Sequence, residues 1–271
     1  MRIAVTGSSG SVGKAIVKLA LEQGHEVLCI DRVNAESQLA PFLQVDLSDY
    51  DETLKAFHGC DAVIHMAAIP APGRHPDHVV HNNNVVSSYN VLRAAAKLGI
   101  THVCQASSVN ATGLAYSRWP RFDYFPLDEE HPTYNEDPYS LSKWICEEQG
   151  NSFARRYEGM VIASMRFHWV VPDRAFAAQS KWYGQTQAVK NLWAYVTHDA
   201  AARACLLSLI ADLKGHEVFY IAAPNTVSDI PSLELKKEFF PAVPVRGDLS
   251  GHKSFFNSSK AERLLSWKHD S

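Results

Sequence analysis

Short apolar runs alternate with longer segments of helical periodicity through the first 165 residues, and this alternation restricts the possible folds most strongly. The first apolar run covers residues 2–6, helical spacing follows over 11–23 until Gly24, and His25–Ile30 is the second run. The later members are a strand at Leu43–Val45, a helix near 51–57, a strand at Ala62–Met66, a helix at 78–98, a strand at His102–Ala106, a helix at 138–157 and a strand at Val161–Phe167. Strand-like runs separated by helices indicate βαβ units, so the sequence predicts an α/β fold with a doubly wound, mainly parallel sheet.

The regular alternation weakens after about residue 168. Residues 185–210 are predicted to be mostly helical, 217–222 to form a strand, and 258–271 to include a short terminal helix. We expect one domain over 1–271, to which residues from about 168 onward add a small substrate-binding lobe at the carboxyl edge of the sheet. The aromatic and proline-rich segment 114–137 is predicted to be a loop beside the active site.

Composition and charge exclude several classes of protein. The chain has 271 residues, 46% hydrophobic and 20% charged, and a net charge of -3 gives no reason to expect nucleic acid or an anionic membrane as partner. No leader peptide or membrane-spanning run is expected. Five scattered cysteines without Cys-x-x-Cys spacing indicate reduced thiols, and hence the cytoplasm. The closest histidines (His75, His78 and His81) recur every three residues without the ligand pattern of a known metal site, so no metal site is expected.

A glycine-rich turn joins the first strand to the first helix. In Thr6-Gly7-Ser8-Ser9-Gly10-Ser11-Val12-Gly13, Gly7 permits a tight turn, Gly10 lets the backbone approach a pyrophosphate, and Gly13 lets helix and strand pack closely. The amino terminus of the helix, at Ser11 and Val12, offers free N–H groups and a partial positive charge. The turn therefore predicts dinucleotide binding in a Rossmann-type fold.

Acidic residues at the ends of the second and third strands are predicted to contact the adenosine. Asp31 lies 18 residues after Gly13, where its carboxylate can accept hydrogen bonds from both ribose hydroxyls and would repel a 2′-phosphate. This favours NAD, although Arg32 beside it offers a partner for the phosphate of NADP. Asp46 and Leu47 are placed to border the adenine, and a loop-capping aspartate is the alternative for Asp46.

Tyr139 and Lys143 are four residues apart and share one face of a predicted helix. A free tyrosine has a pKa of about 10, and a nearby ammonium group favours its phenolate form. Lys143 is also placed to hold the nicotinamide ribose. Ser108 follows the strand at His102–Ala106, where its hydroxyl can bind a substrate oxygen that gains or loses a proton. These three residues predict a proton-transfer centre.

With these motifs the chain resembles the extended short-chain dehydrogenase/reductases, the NAD-dependent epimerase/dehydratase group, over nearly its whole length. The likeness also includes His65-Met66-Ala67-Ala68, Asn84-Val85, Tyr89-Asn90-Val91-Leu92, Pro138, Met165-Arg166-Phe167, His198-Asp199 through Ala204, and Ser258-Ser259-Lys260 with the tryptophan at Trp267. The resemblance implies that Ser108, Tyr139 and Lys143 are catalytic, that Met66, Ala67, Ala68, Ala106 and Phe167 contact the cofactor, and that Asn84 supports its position. It also implies a homodimer that pairs the helices at 78–98 and 138–157.

The substrate prediction rests on departures from this group. The segment His168-Trp169-Val170-Val171-Pro172 replaces one that usually carries asparagine, and the short chain leaves little room for a nucleotide diphosphate. The compact length is more similar to the uronate dehydrogenases, which oxidise free uronic acids. In that resemblance Asn110 replaces a histidine, Pro70 replaces a substrate-binding serine, and Lys190 lies where a carboxylate-binding arginine is found. A solvated surface lysine is the alternative for Lys190, and packing at the sheet edge is the alternative for His168 and Trp169.

The sequence therefore predicts an NAD-dependent oxidoreductase that acts on a hydroxyl or carbonyl group of a small sugar-like substrate, such as a free sugar or uronic acid. Ser108, Tyr139 and Lys143 would move the proton, and Pro70, Asn110, His168, Trp169 and Lys190 would bind substrate. An epimerase that recycles its cofactor is the alternative enzyme. Dehydration is disfavoured because Val109-Asn110 follow the serine where an Asp-Glu pair is usual. A non-catalytic dinucleotide sensor is the alternative from another class.

Overall fold

The computed structural model describes residues 1–33, 39–180 and 185–270. Its strands are β1 (Arg2–Thr6), β2 (Glu26–Asp31), β3 (Phe42–Gln44), β4 (Ala62–His65), β5 (His102–Ser108), β6 (Val161–Phe167), β7 (Val170–Val171), β8 (Val196–Thr197) and β9 (His216–Ile221). Seven of them form one sheet in the order β3-β2-β1-β4-β5-β6-β9, and every neighbouring pair in it is parallel. Strands β7 and β8 pair separately. The predicted parallel sheet is confirmed.

Helices cover both faces of the sheet. They are α1 (Ser11–Glu22), α2 (Tyr50–Ala56), α3 (Asp77–Leu98), α4 (Pro138–Arg156), α5 (Arg174–Gln179), α6 (Gln185–Lys190), α7 (His198–Ser208), α8 (Ser232–Phe239) and α9 (Ser259–Leu265). Helix α1 packs against α7, and α3 packs against α2 and α4. One apolar layer contains Ile16 and Phe219, and the other contains Phe57 and Leu92. Two buried layers on one sheet make the fold doubly wound, as the sequence predicts.

Helix α1 illustrates why helices form where the periodicity places them. Its buried residues are Gly13, Ile16, Val17 and Ala20, which recur at the spacing of one helical face. The chain leaves the helix at Gly24, whose φ of 78° is in the left-handed region that favours glycine. The predicted range of 11–23 agrees with the observed one to within a residue at the carboxyl end.

Helix α4 is fixed at its amino terminus by Asp137. The carboxylate of Asp137 accepts hydrogen bonds from the backbone N–H groups of Tyr139, at 3.0 Å, and Ser140, at 2.9 Å. Pro138 occupies the first helical position, where its missing N–H leaves no hydrogen bond unmade. This cap places Tyr139 in the first turn of α4, at the carboxyl edge of the sheet.

Two segments predicted to contain helix are helical over part of their length. Residues 185–210 contain α6 and α7 with a non-helical turn between them, in which Leu192 and Trp193 adopt φ values of 54° and 50°. Both side chains are buried in an aromatic cluster. The terminal helix stops at Leu265, since the indole of Trp267 is buried and donates to the carbonyl of Ala200 at 2.8 Å.

Segment 114–137 and the residues after 168 pack together in one aromatic cluster. Phe122, Phe125 and Phe255 are buried there, with ring centroids 4.9–5.1 Å apart in the contacting pairs. Backbone bridges join Phe125 to Val245 and Leu127 to Phe256. The segment is thus a long loop anchored by its aromatic side chains. The division of the chain into a Rossmann-type domain and a small lobe stays a prediction.

Within the described residues, no helix combines the length and hydropathy needed to cross a membrane. No group of three or more histidine, cysteine, aspartate or glutamate side chains is placed there to hold a metal ion. The five cysteines are free and buried.

Candidate active site

The glycine turn is closed more tightly than any side chain would permit. Gly7 has a φ of 68°, and a Cβ atom added to it would lie 2.6 Å from the backbone nitrogen of Ala67. A Cβ atom on Gly13 would lie 2.2 Å from the carbonyl oxygen of Gly7. Gly10 donates its N–H to the same carbonyl at 3.1 Å. The turn therefore brings the amino terminus of α1 directly against the segment after β4.

A cleft of about 330 Å³, here called the first cleft, opens on this turn. Its wall combines the ends of β1, β2 and β4 with the segment after β3. Its lining residues are Gly7, Gly10, Ser11, Val12, Gly13, Asp31, Arg32, Val45, Asp46, Leu47, Met66, Ala67, Ala68, Pro70, Asn83 and Ser87. The structure thus brings together every residue predicted to contact the pyrophosphate and the adenosine.

The carboxylate of Asp31 joins β2 to the glycine turn. It accepts the backbone N–H of Ser9 at 3.0 Å and that of Val33 at 3.3 Å. The Ser9 hydroxyl in turn donates to the carbonyl of Val33 at 2.6 Å. Asp31 is therefore held at the rim of the first cleft with its orientation fixed by the main chain.

Asp46 borders the first cleft and also caps its own loop. Its carboxylate accepts the backbone N–H of Ser48 at 2.9 Å, and this hydrogen bond holds the pKa of Asp46 below its usual value. The carbonyl of Leu47 accepts a hydrogen bond from the amide of Asn90 in α3 at 2.9 Å. Asp46 can therefore cap its loop and border the adenine at the same time.

Asn84 lines neither cleft in the described structure. Its side chain is buried, accepts the backbone N–H of Ile69 at 2.8 Å, and donates to the carbonyl of Ile69 and the hydroxyl of Ser142. It therefore clamps the segment after β4 onto α3 and α4. Any effect of Asn84 on a bound cofactor acts through this segment.

A second cleft of about 480 Å³ adjoins the first and shares Val12, Met66, Ala68 and Pro70 with it. Its remaining lining residues come from β5, β6, β7, α4, the loop between β4 and α3, and the loops that follow β5, β6 and α6. They are Ala71, Arg74, Ala106, Ser107, Ser108, Val109, Asn110, Tyr116, Tyr139, Lys143, Phe167, His168, Trp169, Val170 and Asn191. Ser108, Tyr139 and Lys143 thus meet in one cleft with four of the other five residues predicted to bind substrate.

Tyr139 is buried beside Ser108 and Tyr116. Burial raises its pKa well above the ordinary value for tyrosine, and its hydrogen bond with Ser108 offsets this only in part. The Tyr116 ring stands edge-on to it, with centroids 5.7 Å apart. The direction of this pKa shift is opposite to the one expected from a neighbouring lysine, because desolvation of the phenolate outweighs the other influences.

Lys143 lies on the same face of α4 as Tyr139, as its spacing predicts. Its ammonium donates to the carbonyl of Ala106 at 2.8 Å and is 5.9 Å from the centroid of the Tyr139 ring. Burial lowers the pKa of Lys143, while Cys146 and Glu147 oppose that shift. The lysine is thus tied to the end of β5, next to the serine.

Ser108 and Asn110 are held by a short 3-10 helix, Val109–Thr112, at the end of β5. The Ser108 hydroxyl oxygen accepts the backbone N–H of Asn110 at 3.1 Å and its side-chain amide at 3.4 Å. The side-chain Oδ1 of Asn110 accepts the backbone N–H of Ala115 at 2.9 Å. Ser108 therefore retains its own proton for donation.

A buried ion pair that the sequence analysis missed supports this centre. Both carboxylate oxygens of Glu147 accept hydrogen bonds from the guanidinium of Arg166, each at 2.8 Å, and one of them also accepts the Ser107 hydroxyl at 2.5 Å. The signal was available in the sequence, since Glu147 lies one helical turn after Lys143 and Arg166 lies near the end of a strand. The pair ties β5, β6 and α4 together directly behind Ser108.

His168 lines the second cleft, but its ring nitrogens are engaged by backbone. Nδ1 accepts the N–H of Trp169 at 2.7 Å, so Nε2 carries the proton and donates to the carbonyl of Asn191 at 3.0 Å. Burial lowers the pKa of His168 to about 4, so the ring is neutral at physiological pH. His168 thus positions the wall of the cleft, and Trp169 beside it packs against Phe176.

Lys190 does not line the second cleft. Its ammonium donates to the carbonyls of Ser117, at 2.8 Å, and Arg118, at 3.2 Å. It therefore anchors the loop after β5. Arg74 and Tyr116, which the sequence analysis did not select, do line the cleft. Both lie on loops without a recognisable motif, so only their position in space reveals them.

Comparisons with known proteins identify the family. A model of the NAD dependent epimerase/dehydratase family matches residues 3–182. A putative UDP-glucose 4-epimerase of Methanocaldococcus jannaschii is 31% identical over 180 residues, which cover 64% of this chain and 57% of that protein. An L-arabinose 1-dehydrogenase (NAD(P)(+)) of Haloferax volcanii is 31% identical over 176 residues, which cover 63% of this chain and 67% of that protein.

A solved structure shares the fold over the whole chain. A short-chain dehydrogenase/reductase superfamily protein of Agrobacterium tumefaciens, with bound NAD, gives a TM-score of 0.76 at 20% identity and covers 100% of this chain and 93% of that one. The match to the first of the curated relatives spans 57% of its length. The resemblance inferred from the sequence motifs is confirmed. Because the family model covers well over half of the sequence, the chain belongs to the NAD dependent epimerase/dehydratase family.

Proposed function

We propose that the protein oxidises or reduces a hydroxyl or carbonyl group of a small sugar, using NAD as the cofactor of its family. The observation that carries this proposal is the convergence of Ser108, Tyr139 and Lys143 in a cleft that is continuous with the cleft of the glycine turn. Continuity matters because the reacting carbon and the nicotinamide ring must approach each other within one enclosure. The sugar relatives named above support the substrate class.

The first cleft fits a dinucleotide. Gly7 and Gly13 carry no Cβ atom, and main-chain atoms lie where such an atom would be. Because no side chain stands out from these positions, the backbone of the turn can approach a pyrophosphate. We expect the glycine turn to hold the pyrophosphate, Asp31 and Arg32 to border the adenosine ribose, and Asp46 and Leu47 to border the adenine. We expect these residues to contact the nicotinamide half: Met66, Ala67, Ala68, Ala106, Tyr139, Lys143 and Phe167.

NAD held by these residues would supply the hydride acceptor that oxidation of the substrate carbon needs. The Ser108 hydroxyl donates a hydrogen bond to the substrate oxygen and so orients it. Tyr139 takes the hydroxyl proton of the substrate at its phenolic oxygen. The Lys143 ammonium, held at the carbonyl of Ala106, favours the phenolate that this step needs. Because burial opposes the phenolate, the positive charges beside Tyr139 are essential to the proposal.

The walls of the second cleft set which substrate enters. Pro70, Asn110, His168 and Trp169 line it, together with Asn191 from the segment that we assign to the small lobe. We expect direct contacts from Asn110 and Trp169, and a positioning role for His168, whose ring nitrogens are already engaged. We expect no direct contact from Lys190.

The test is to mix the purified protein with NAD and a panel of free sugars and uronic acids, and to follow the near-ultraviolet absorbance of reduced nicotinamide. We expect a steady rise with at least one substrate, and none with the same substrate and a Tyr139→Phe variant. Epimerised sugar without net reduction of NAD would establish the alternative enzyme. Bound NAD with no chemistry on any sugar would contradict the proposal and favour the sensor.

Replacing Gly13 by alanine should lower both stability and NAD affinity. The new Cβ atom would lie 2.2 Å from the carbonyl oxygen of Gly7, so the turn must move. We expect a loss of about 1–3 kcal/mol in the free energy of unfolding. NAD affinity should fall about tenfold or more, which corresponds to about 1.4 kcal/mol. Denaturant unfolding and a fluorescence titration with NAD measure the two effects.

Gly24→Ala is the matched control for Gly13→Ala. It places alanine at a φ of 78°, but no atom lies within 4 Å of the new Cβ. We expect it to destabilise the protein by about 1 kcal/mol and to leave NAD affinity unchanged. Equal NAD affinity for wild type and Gly13→Ala would contradict the assignment of the turn.

Asp31→Asn should shift the preference from NAD towards NADP. The amide retains an acceptor for the Ser9 N–H but removes the charge that repels a 2′-phosphate. We expect the KM for NAD to rise about tenfold, from weaker hydrogen bonds to the ribose, and the KM for NADP to fall. The double variant with Arg32→Gln tests the remaining alternative. If Arg32 binds the 2′-phosphate, the fall in the KM for NADP will disappear in the double variant. An unchanged preference for NAD over NADP in Asp31→Asn would contradict the prediction.

We also propose a homodimer formed through α3 and α4. Val79, Val86 and Tyr89 on α3 and Leu141 on α4 are large apolar residues that remain exposed in the single chain. Because α3 and α4 lie side by side, a second copy would bury these residues in a four-helix bundle. Light scattering should give twice the chain mass of 30.1 kDa, and Val86→Glu should halve it. A wild-type monomer would contradict this proposal.

A further inference from the structure

The second cleft has an unbalanced charge. Its described lining residues include two cations, Arg74 and Lys143, and no aspartate or glutamate. A cleft lined by charge of one sign attracts a ligand of the other sign, because low-dielectric walls focus the field inside it. This imbalance points to a substrate that carries negative charge.

The two cations differ in their availability. Lys143 is buried at the inner end of the cleft, and its ammonium already donates to the carbonyl of Ala106 at 2.8 Å. Arg74 lies on the loop between β4 and α3, is exposed to solvent, and forms no ion pair with any described residue. Its guanidinium is therefore the cation that can accept a ligand.

The charge of Arg74 acts close to the reacting centre. It lowers the pKa of Tyr116 against the larger effects of burial and of Asp137. The Tyr116 ring stands edge-on to Tyr139 at 5.7 Å between centroids. The carboxylate of Asp137 lies outside the cleft lining and caps α4 through the N–H groups of Tyr139 and Ser140. Arg74 and Tyr139 line the same cleft, so a substrate whose oxygen lies at Tyr139 can extend towards Arg74.

We propose that Arg74 binds an anionic group of the substrate, a carboxylate or a phosphate, and so selects acidic sugars over neutral ones. This inference rests on the proposed function. Lys190, the cation expected from the sequence, does not take this role because its ammonium is engaged by the Ser117 and Arg118 carbonyls. A guanidinium offers paired donors in a plane, which match the oxygens of either anion.

The experiment compares galactose, galacturonate and galactose 6-phosphate in the NAD reduction assay. We expect wild-type kcat/KM to be higher for one of the acidic sugars than for galactose. The acidic sugar with the higher kcat/KM identifies the anion as carboxylate or phosphate. Arg74→Gln should raise the KM for that acid about 10–100-fold, as expected for the loss of a charge-assisted pair, with little change in kcat or in the KM for galactose.

Three variants make the test specific. Arg263→Gln removes an equivalent exposed charge on α9, outside the lining of the cleft, and should leave the KM for the acid unchanged. Arg74→Lys should retain part of the preference, because it keeps the charge and loses the planar fork. Lys190→Gln should not change the ratio of kcat/KM between acid and galactose.

Each result decides the inference. The inference would be overturned if the wild type prefers galactose, or if Arg74→Gln lowers kcat/KM equally for the acid and the neutral sugar. It would also be overturned if only Lys190→Gln loses the preference for the acid. If no sugar reduces NAD, the proposed function fails first, and calorimetry still tests the inference. Galacturonate should then bind wild-type protein and bind Arg74→Gln at least about tenfold more weakly, and equal binding would overturn the inference.

Discussion

Tyr139→Phe should lower kcat/KM by about 10²–10⁴-fold, because the variant lacks the only atom through which this side chain can take a proton. The phenyl ring can still fill the buried site against Tyr116, so the fold should persist. NAD affinity should change little, since Tyr139 does not line the first cleft and the phenyl ring keeps the packing surface that faces the nicotinamide half. Steady-state kinetics with the best substrate measure the effect on the chemical step. A separate NAD titration measures the effect on cofactor binding.

Tyr116→Phe is the discriminating comparison for this prediction. Tyr116 lines the same cleft and its ring contacts Tyr139, but it has no lysine one helical turn away. We expect it to lose less activity than Tyr139→Phe. A larger loss in Tyr116→Phe would move the proton transfer to that hydroxyl. Full enzymatic activity in Tyr139→Phe would contradict the proton-transfer role of Tyr139. Unchanged biological activity in this variant, without catalysis on any sugar, would favour the dinucleotide sensor.

Glu147→Ala should reduce the free energy of unfolding by about 3–5 kcal/mol, because it leaves the guanidinium of Arg166 buried and uncompensated. Side-chain exposure is 4% for Glu147 and 7% for Arg166, so water cannot replace the lost carboxylate without a rearrangement. The Ser107 hydroxyl loses its acceptor as well. Denaturant unfolding measures the loss.

The same variant should also slow the reaction. Ser107 precedes Ser108 on β5, and Glu147 lies one turn beyond Lys143 on α4, so the pair sets the distance between the serine and the lysine. We expect kcat to fall in Glu147→Ala even where the protein is fully folded. Glu147→Gln, which keeps the shape and can still accept a hydrogen bond, should recover part of both losses.

Glu22→Ala provides the matched control. Glu22 pairs with Lys18 at 3.9 Å on the exposed face of α1, where the side chains are 57% and 68% exposed. A surface pair of this kind contributes about 0.3–0.5 kcal/mol. We therefore expect a small change in stability and none in kcat. A comparable effect of Glu147→Ala and Glu22→Ala would show that Arg166 finds other partners, such as the Tyr220 ring at 5.2 Å.

Local patterns in the sequence are sufficient to predict the parallel sheet, the glycine turn and the shared face of Tyr139 and Lys143. Each depends on the period of a helix or strand, or on a backbone conformation open only to glycine, and both are determined within a few residues. Asp31 belongs with them, because the end of β2 follows directly from that periodicity. Ser108 follows in the same way from the strand before it, although Tyr139 lies 31 residues away along the chain.

Only the tertiary structure decided which charges meet. It placed Arg74 in the second cleft and Lys190 outside it, paired Glu147 with Arg166, and raised the pKa of Tyr139 by burying it. It also placed a non-helical turn within residues 185–210, which the sequence predicts to be mostly helical. These outcomes depend on which distant segments pack together and on how much water they exclude. Desolvation and long-range contacts leave no period in the sequence, so the sequence alone cannot predict them.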